Sequence, residues 1–305
     1  VLFNAPSTGW ITGSALTVNN GSALLGANNV FGATALTNVT VNATVAGATA
    51  RFDLDGNNQS ILALAFGGTG ATATSTNTVA TGAGTLTLGG NVTYTATNNP
   101  LGASLTGNLS LGAATRTFII GDSSNAAADF TVSAVISGAA GAGLVKTGTG
   151  TLVLSGLNTY TGATAINAGT LSVNSIANLG TASALGAPVT VANGTISVGA
   201  TTVAGNLVYT GGAATTDRVV NLAGTTGGAA LRNDGSGALV FTSAFTATGA
   251  GSKTLTLGGT NTADNTIAGA IVNNSATNRT SILKADAGTW LLSGVNTYTG
   301  TTTVN

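Results

Sequence analysis

The feature that most constrains the fold is a recurrence. The stretch GTLVLSGLNTYTGATAIN, from Gly150 to Asn167, returns as GTWLLSGVNTYTGTTTVN from Gly288 to Asn305, 138 residues later (288 − 150). Lys146 and Lys284 keep the same offset (284 − 146 = 138). Shorter echoes lie elsewhere: GTLTLGGNVTYT from Gly84, GTLSVNS from Gly169, GTISVGA from Gly194, ALVFTSA from Ala238 and KTLTLGGTNT from Lys253. Each has one grammar, a Gly, then Thr or Ser alternating with Leu, Val or Ile, then Gly and Asn. A chain that repeats one strand-and-corner unit buries its apolar face by stacking each unit on the next.

Period-two alternation assigns the two faces of each strand. Leu86 and Leu88 point inward and Thr85 and Thr87 outward. The same rule places Phe52 and Leu54, Phe118 and Ile120, Val132 and Ile136, Leu152 and Leu154, and Leu171 and Val173 inside. Thr and Val stiffen the extended backbone, and Gly and Asn supply the left-handed conformations of tight corners. Helical periodicity is absent, and Pro6, Pro100 and Pro188 fall where loops are expected. The expected fold is all-β: one continuous parallel β-helix, a β-solenoid over residues 1–305, with roughly 12–15 coils at about 20–25 residues each. A sandwich has no reason to repeat one strand grammar along its length.

Composition agrees with a stack of small residues. Charged residues make up 5% of the chain and aromatic residues 5%, against about a quarter charged in an ordinary domain. A mean hydropathy of +0.40 argues against disorder. The net charge is zero and the eight Lys and Arg are scattered, which is unlike a phosphate-tracking surface, so no nucleic-acid partner is expected. No apolar run is long enough for a transmembrane helix. With no His or Cys, Ser-His-Asp, Cys-His and thiolate-metal chemistry are excluded.

The segment LVKTGTGTLVLSGLNTYTGATAINAGTLSV, from Leu144 to Val173, resembles the passenger-associated transport repeat of bacterial autotransporters and giant surface repeat proteins. A second copy runs from Ile282 to Asn305 and departs from the motif at Ala285, Asp286 and Ala287, which replace Thr147, Gly148 and Thr149, and at Trp290 in place of Leu152. ARFDLDGNNQSILALAFGG, from Ala50 to Gly68, is similar to a coil found beside such repeats. The resemblance implies a right-handed parallel β-helix exported to the cell surface or beyond. It implies no activity, since such passengers include adhesins, enzymes and inert stalks. The repeat positions it marks are Lys146, Gly150, Leu152, Leu154, Gly156, Asn158, Tyr160 and Gly162, and in the second copy Lys284, Gly288, Trp290, Leu292, Gly294, Asn296, Tyr298 and Gly300.

The candidate sites each have a plainer structural reading. Asp53 and Asp55, in DLDGNN, form a weak calcium-loop candidate without a closing Glu; an outward Asp53 and a turn at Asp55 are the plainer expectation, and no cofactor is expected. The aspartates are too dispersed to suggest the carboxylate pair of a glycosidase. Thr72, Thr74 and Thr76, with Thr93, Thr95 and Thr97, could form an ice-binding face or simply a solvated one. Tyr160 and Tyr298 read as corner wedges, Trp290 as a core filler, and Lys146 and Lys284 as exposed lysines that discourage edge pairing. Asn-x-Ser/Thr triplets at Asn38, Asn58, Asn91 and Asn108 are frequent in such a composition and indicate no modification by themselves.

The function expected is structural or adhesive, a non-catalytic stalk or fibre segment of a bacterial surface protein. A polysaccharide-binding or polysaccharide-cleaving β-helix and an ice-binding solenoid are the alternatives. The uncapped repeat at Thr301–Asn305 suggests self-association through terminal coils, or covalent continuation in a longer chain. A host or matrix glycan, or another cell-surface ligand, is the expected external partner.

Overall fold

A computed structural model describes residues 1–4, 15–32 and 37–305. Pro6 lies outside the described residues. The protein is an all-β parallel solenoid of about 11 turns. That is slightly fewer than the roughly 12–15 coils expected, because the turns are longer than the motif suggests. Hydrogen bonds between successive turns join residues 22 apart at Ile136 and Asn158, 28 apart at Leu88 and Arg116 and 39 apart at Asn178 and Asp217.

The chain groups into two compact units. The first comprises Val1–Gly143 with Gly148–Tyr160, and the second Leu144–Thr147 with Thr161–Asn305. In the first unit one parallel sheet runs through Leu2–Phe3, Gly21–Leu25, Thr49–Asp53, Thr76–Leu88, Ala103–Ser110, Phe130–Val132 and Thr151–Leu154. A second runs through Ala15–Val18, Asn38–Val41, Leu64–Phe66, Val92–Tyr94 and Arg116–Ile120. The long strands Thr76–Leu88 and Ala103–Ser110 pair in two runs, with a register shift between Thr106 and Asn108. Gly107 sits in that shift at φ 94°, a backbone region that side chains disfavour.

The second unit has three faces. The first passes through Gly169–Val173, Gly205–Tyr209, Ala229–Asn233, Lys253–Gly258, Thr280–Lys284 and Thr302–Val304. The second passes through Leu144–Thr147, Thr164–Ile166, Ile196–Val198, Val220–Leu222 and Thr246–Ala247, and the third through Ala214–Thr216, Leu239–Phe241, Asn265–Ile267 and Trp290–Leu292. The one α-helix among the described residues is the four-residue Val191–Gly194.

Register stacks like on like. Phe52, Val79, Leu105, Val132 and Leu154 form one buried column; Leu171, Leu207, Leu231 and Leu257 form another. Each such side chain contributes about 1.5–3 kcal/mol through burial. Every inward assignment made from period two, at Phe52, Leu54, Leu86, Leu88, Phe118, Ile120, Val132, Ile136, Leu152, Leu154, Leu171 and Val173, is a buried position. Corner asparagines join successive turns: Asn42 Nδ2 donates to Thr69 O at 2.9 Å and Asn98 Nδ2 to Ala71 O at 2.9 Å. Such bonds satisfy corner backbone groups that the sheet ladders leave unpaired.

Candidate functional site

The repeat itself is the site to examine, and its parts converge on the corners of the solenoid. In the first copy Leu152 and Leu154 are fully buried. Gly150 lies so close to the previous turn that a Cβ would sit 2.2 Å from Gly121 O. Gly156 is equally tight, with a Cβ position 2.2 Å from Ala134 O. Asn158 is buried, and its Oδ1 accepts from Ile136 N at 2.7 Å. Thr159 N and Tyr160 N both donate to Ile136 O, at 2.8 and 3.3 Å, so the Asn-Thr-Tyr run clamps one peptide unit of the preceding turn. Tyr160 is fully buried, and Gly162 is buried at the start of the next strand segment.

The second copy repeats this clamp at the same positions. Asn296 Oδ1 accepts from Ile271 N at 2.9 Å, and Thr297 N and Tyr298 N donate to Ile271 O at 3.0 and 3.2 Å. Gly288, Gly294 and Gly300 approach Gly259 O, Gly269 O and Thr280 O, with Cβ positions 2.7, 2.4 and 2.2 Å away. Three residues of the motif thus serve one purpose, which sequence spacing could flag but not explain. Tyr298 OH shares a 2.9 Å hydrogen bond with Thr302 Oγ1.

Two expectations about these positions need correction. Lys146 is not an exposed lysine but fully buried; its Nζ donates to Thr147 O at 2.9 Å and Ala168 O at 3.2 Å. The ammonium caps one carbonyl of its own corner and one of the next turn. Lys284 is half-buried and does likewise, donating to Ala285 O at 2.6 Å and Asp286 O at 2.7 Å. Trp290 is likewise not a sealed core filler: it and Leu292 are half-exposed, and the indole Nε1 donates to Gly258 O at 2.9 Å.

The other polar candidates are corner elements too. Asp53 forms an ion pair with Arg51 at 2.7 Å, and its Oδ1 accepts from Asp55 N at 3.0 Å in a short Asx turn. No group of three or more metal-ligating side chains occurs among the described residues. The threonine ladders do not form a flat face. Thr72 and Thr74 lie in a turn before the strand that starts at Thr76, Thr97 lies in another, and Thr74 Oγ1 accepts from Gly47 N at 2.8 Å.

Sequence reasoning missed the buried ionic residues, because each looks like an ordinary surface charge. Asp129 is 1% exposed and accepts from Ser123 N at 2.6 Å and Thr151 N at 2.7 Å. Burial, then the nearby Asp129 charge, pushes the Tyr94 phenol up to about 12. Arg218 is 1% exposed and donates to Gly194 O at 2.7 Å and Leu185 O at 2.8 Å, tying down the excursion 174–195. Lys253, 2% exposed, donates to Ala250 O at 2.9 Å and to Gly224 O; burial lowers its pKa from the ordinary lysine value.

A family model described as passenger-associated-transport-repeat matches residues 79–98, 144–173 and 282–305. The first match covers the stretch around Gly84 that reads by sequence only as a short echo. The chain is 37% identical over 193 residues to a protein described as "Adhesin BmaC autotransporter" from Brucella suis biovar 1 (strain 1330). The match takes in 62% of this chain and 5% of that adhesin, so the chain spans a small part of the relative's length. No solved structure matches the chain. No helix among the described residues is long and apolar enough to cross a membrane. By its three passenger-associated transport repeats and its parallel solenoid the chain is similar to autotransporter passengers, a likeness that implies an extracellular or cell-surface location.

Proposed function

We propose that the chain is a non-enzymatic segment of a surface adhesin, whose solenoid carries or forms the adhesive surface. The observation that supports this most directly is the 37% identity over 193 residues to an autotransporter adhesin, in a chain built on passenger repeats. The corner chemistry fits the role. The Asn-Thr-Tyr clamps and the buried Lys146 and Arg218 direct polar groups at neighbouring turns, which makes a stiff scaffold that can present a surface to a partner. Host or matrix glycans and other cell-surface ligands are the partner classes the reading names. Self-association through terminal coils, or covalent continuation in a longer chain, belongs to the same proposal, with Thr302–Val304, which pairs with Thr280–Lys284, as the strand concerned.

Bacteria displaying the whole passenger, compared with an isogenic strain whose passenger lacks residues 1–305, test the reading. Loss of adherence to epithelial monolayers at equal surface display is the expected result. Unchanged adherence together with polysaccharide hydrolysis by the purified chain would replace it with the enzyme alternative. Chains that lengthen with concentration under the electron microscope would support strand-edge association, and particles of constant length would end it.

A further inference from the structure

We propose that Asn38, Asn58 and Asn91 are attachment sites for N-linked sugar, a modification that does not depend on the adhesion reading. Asn-x-Ser/Thr is the acceptor triplet for this chemistry, and nine such triplets occur in the chain. The solenoid itself generates many of them, because a corner Asn, an inward residue and an outward hydroxyl read as Asn-x-Ser/Thr. Most are therefore structural, and the structure separates the structural ones from the rest.

A transferase needs the amide nitrogen as nucleophile and must reach the hydroxyl two residues on. In six triplets the fold already uses one of these groups. Asn20 Nδ2 donates to Thr44 Oγ1 at 3.0 Å, Asn42 Nδ2 to Thr69 O at 2.9 Å and Asn273 Nδ2 to Thr299 Oγ1 at 2.9 Å. Asn108 Nδ2 donates to Gly84 O at 3.2 Å, and its Ser110 Oγ accepts from Gly112 N at 3.2 Å. After Asn193 and Asn278 the hydroxyls are committed, Thr195 Oγ1 to Val191 O at 2.8 Å and Thr280 Oγ1 to Val272 O at 2.7 Å.

Asn38, Asn58 and Asn91 differ on both counts. All three are exposed. Each middle residue points inward, Val39 and Gln59 at 1% exposure and Val92 at 0%, so Thr40, Ser60 and Thr93 face outward, half-exposed and without a side-chain hydrogen bond among the described residues. Each asparagine Oδ1 accepts from the next turn: from Ala63 N at 3.3 Å, Thr85 N at 2.9 Å and Thr117 N at 3.0 Å. The amide plane is therefore held by its oxygen, while the nitrogen has no hydrogen-bond partner among the described residues.

Glycosylation leaves that arrangement intact. The anomeric C–O bond of a sugar activated as a pyrophosphate ester breaks, and a C–N bond forms to Nδ2. Nδ2 gives up one proton to a base on the transferase, and the pyrophosphate leaves with the bonding electron pair. The Oδ1 acceptor is untouched, so the link between turns survives. Asn38 and Asn91 lie at one level of their sheet, two strands apart with Ala63 between, about 9.6 Å at the usual strand spacing. The small Ala63 side chain leaves room for a sugar on each side.

Peptide mass spectrometry of the protein from the cells that produce it tests the proposal. Sugar-sized mass increments are expected on peptides holding Asn38, Asn58 and Asn91, and none on Asn42 or Asn108. Thr40→Ala, Ser60→Ala and Thr93→Ala keep each asparagine and its hydrogen bond, so each should remove one increment and leave the melting temperature unchanged. Unmodified Asn38, Asn58 and Asn91 peptides would overturn the proposal, as would increments on Asn42 or Asn108 as heavy as those on the three sites.

Discussion

Asp286 Oδ2 lies 2.6 Å from Arg232 Nη1 and accepts from Gly259 N at 3.0 Å. Asp286 takes the place that Gly148 holds in the first repeat, and both have left-handed backbone, at φ 60° and 78°. A side chain at that angle is strained. The carboxylate offsets the strain by bonding back to the preceding turns, which explains why the second repeat departs from the motif there.

The backbone bond from Gly259, with the charges of Arg232 and Lys284, holds the Asp286 carboxyl below its ordinary value of 3.8. A carboxyl with a depressed folded pKa adds stability above its unfolded pKa and loses it as pH falls through the folded one. The melting temperature of the protein should fall as pH drops below about 4, and less so for Asp286→Asn. Equal acid sensitivity in both proteins would dismiss the link.

The buried ammonium of Lys146 serves the carbonyls of Thr147 and Ala168. Lys146→Met keeps the stem and removes the donors, and should cost about 1–3 kcal/mol in chemical denaturation. Lys284→Met should cost less, because that corner is half-exposed and water can replace the lysine.

Asn158 and Asn296 hold equivalent peptide groups. Asn158→Ala orphans Ile136 N inside the core, at about 1–3 kcal/mol. Asn296→Ala should cost less where water can reach Ile271 N. A larger loss at Asn296 would contradict the burial difference between the copies.

Gly150→Ala puts a methyl group 2.2 Å from Gly121 O and 2.7 Å from the Asp129 carboxylate. The turns must separate to admit it, and a loss of about 1–3 kcal/mol is expected. Gly21→Ala faces open space but has φ 64°, so its cost should come from backbone strain without repacking. Crystal structures of the two variants would show a shifted turn only in the first.

Basic side chains turned inward should slow trypsin. Arg116 donates to Leu111 O, Gly89 O and Leu88 O at 2.6–2.8 Å, and Lys146, Arg218 and Lys253 are buried. Arg51 and Arg279 are exposed. Limited digestion of the native protein should cut first after Arg51 or Arg279; first cleavage after Lys146 or Arg218 would count against the buried arrangement.

Much of the fold was legible in the chain because strand alternation is local. Each inward residue named from period two, from Phe52 to Val173, is a core position. The corners were half-legible. Gly and Asn marked where the chain turns, but the target of Asn158, a peptide 22 residues away, depends on turn length. Turn length varies from 22 to 39 residues between paired positions with no constant sequence mark. Lys146 was misread for the same reason: Lys in a Thr-Gly-rich stretch looks solvated until the neighbouring turn closes over it.

The repeating grammar thus determined by itself that the protein is a parallel β-solenoid, which side of each strand is core, and where corners fall. Those follow from backbone geometry and side-chain alternation within a few residues. Only the stacked turns decided which charges are inside, what Asp129, Lys146 and Arg218 bind, and which of nine Asn-x-Ser/Thr triplets keep an available amide. Those depend on the register between residues 22 or more apart, where desolvation and hydrogen bonding are set by the neighbouring turn.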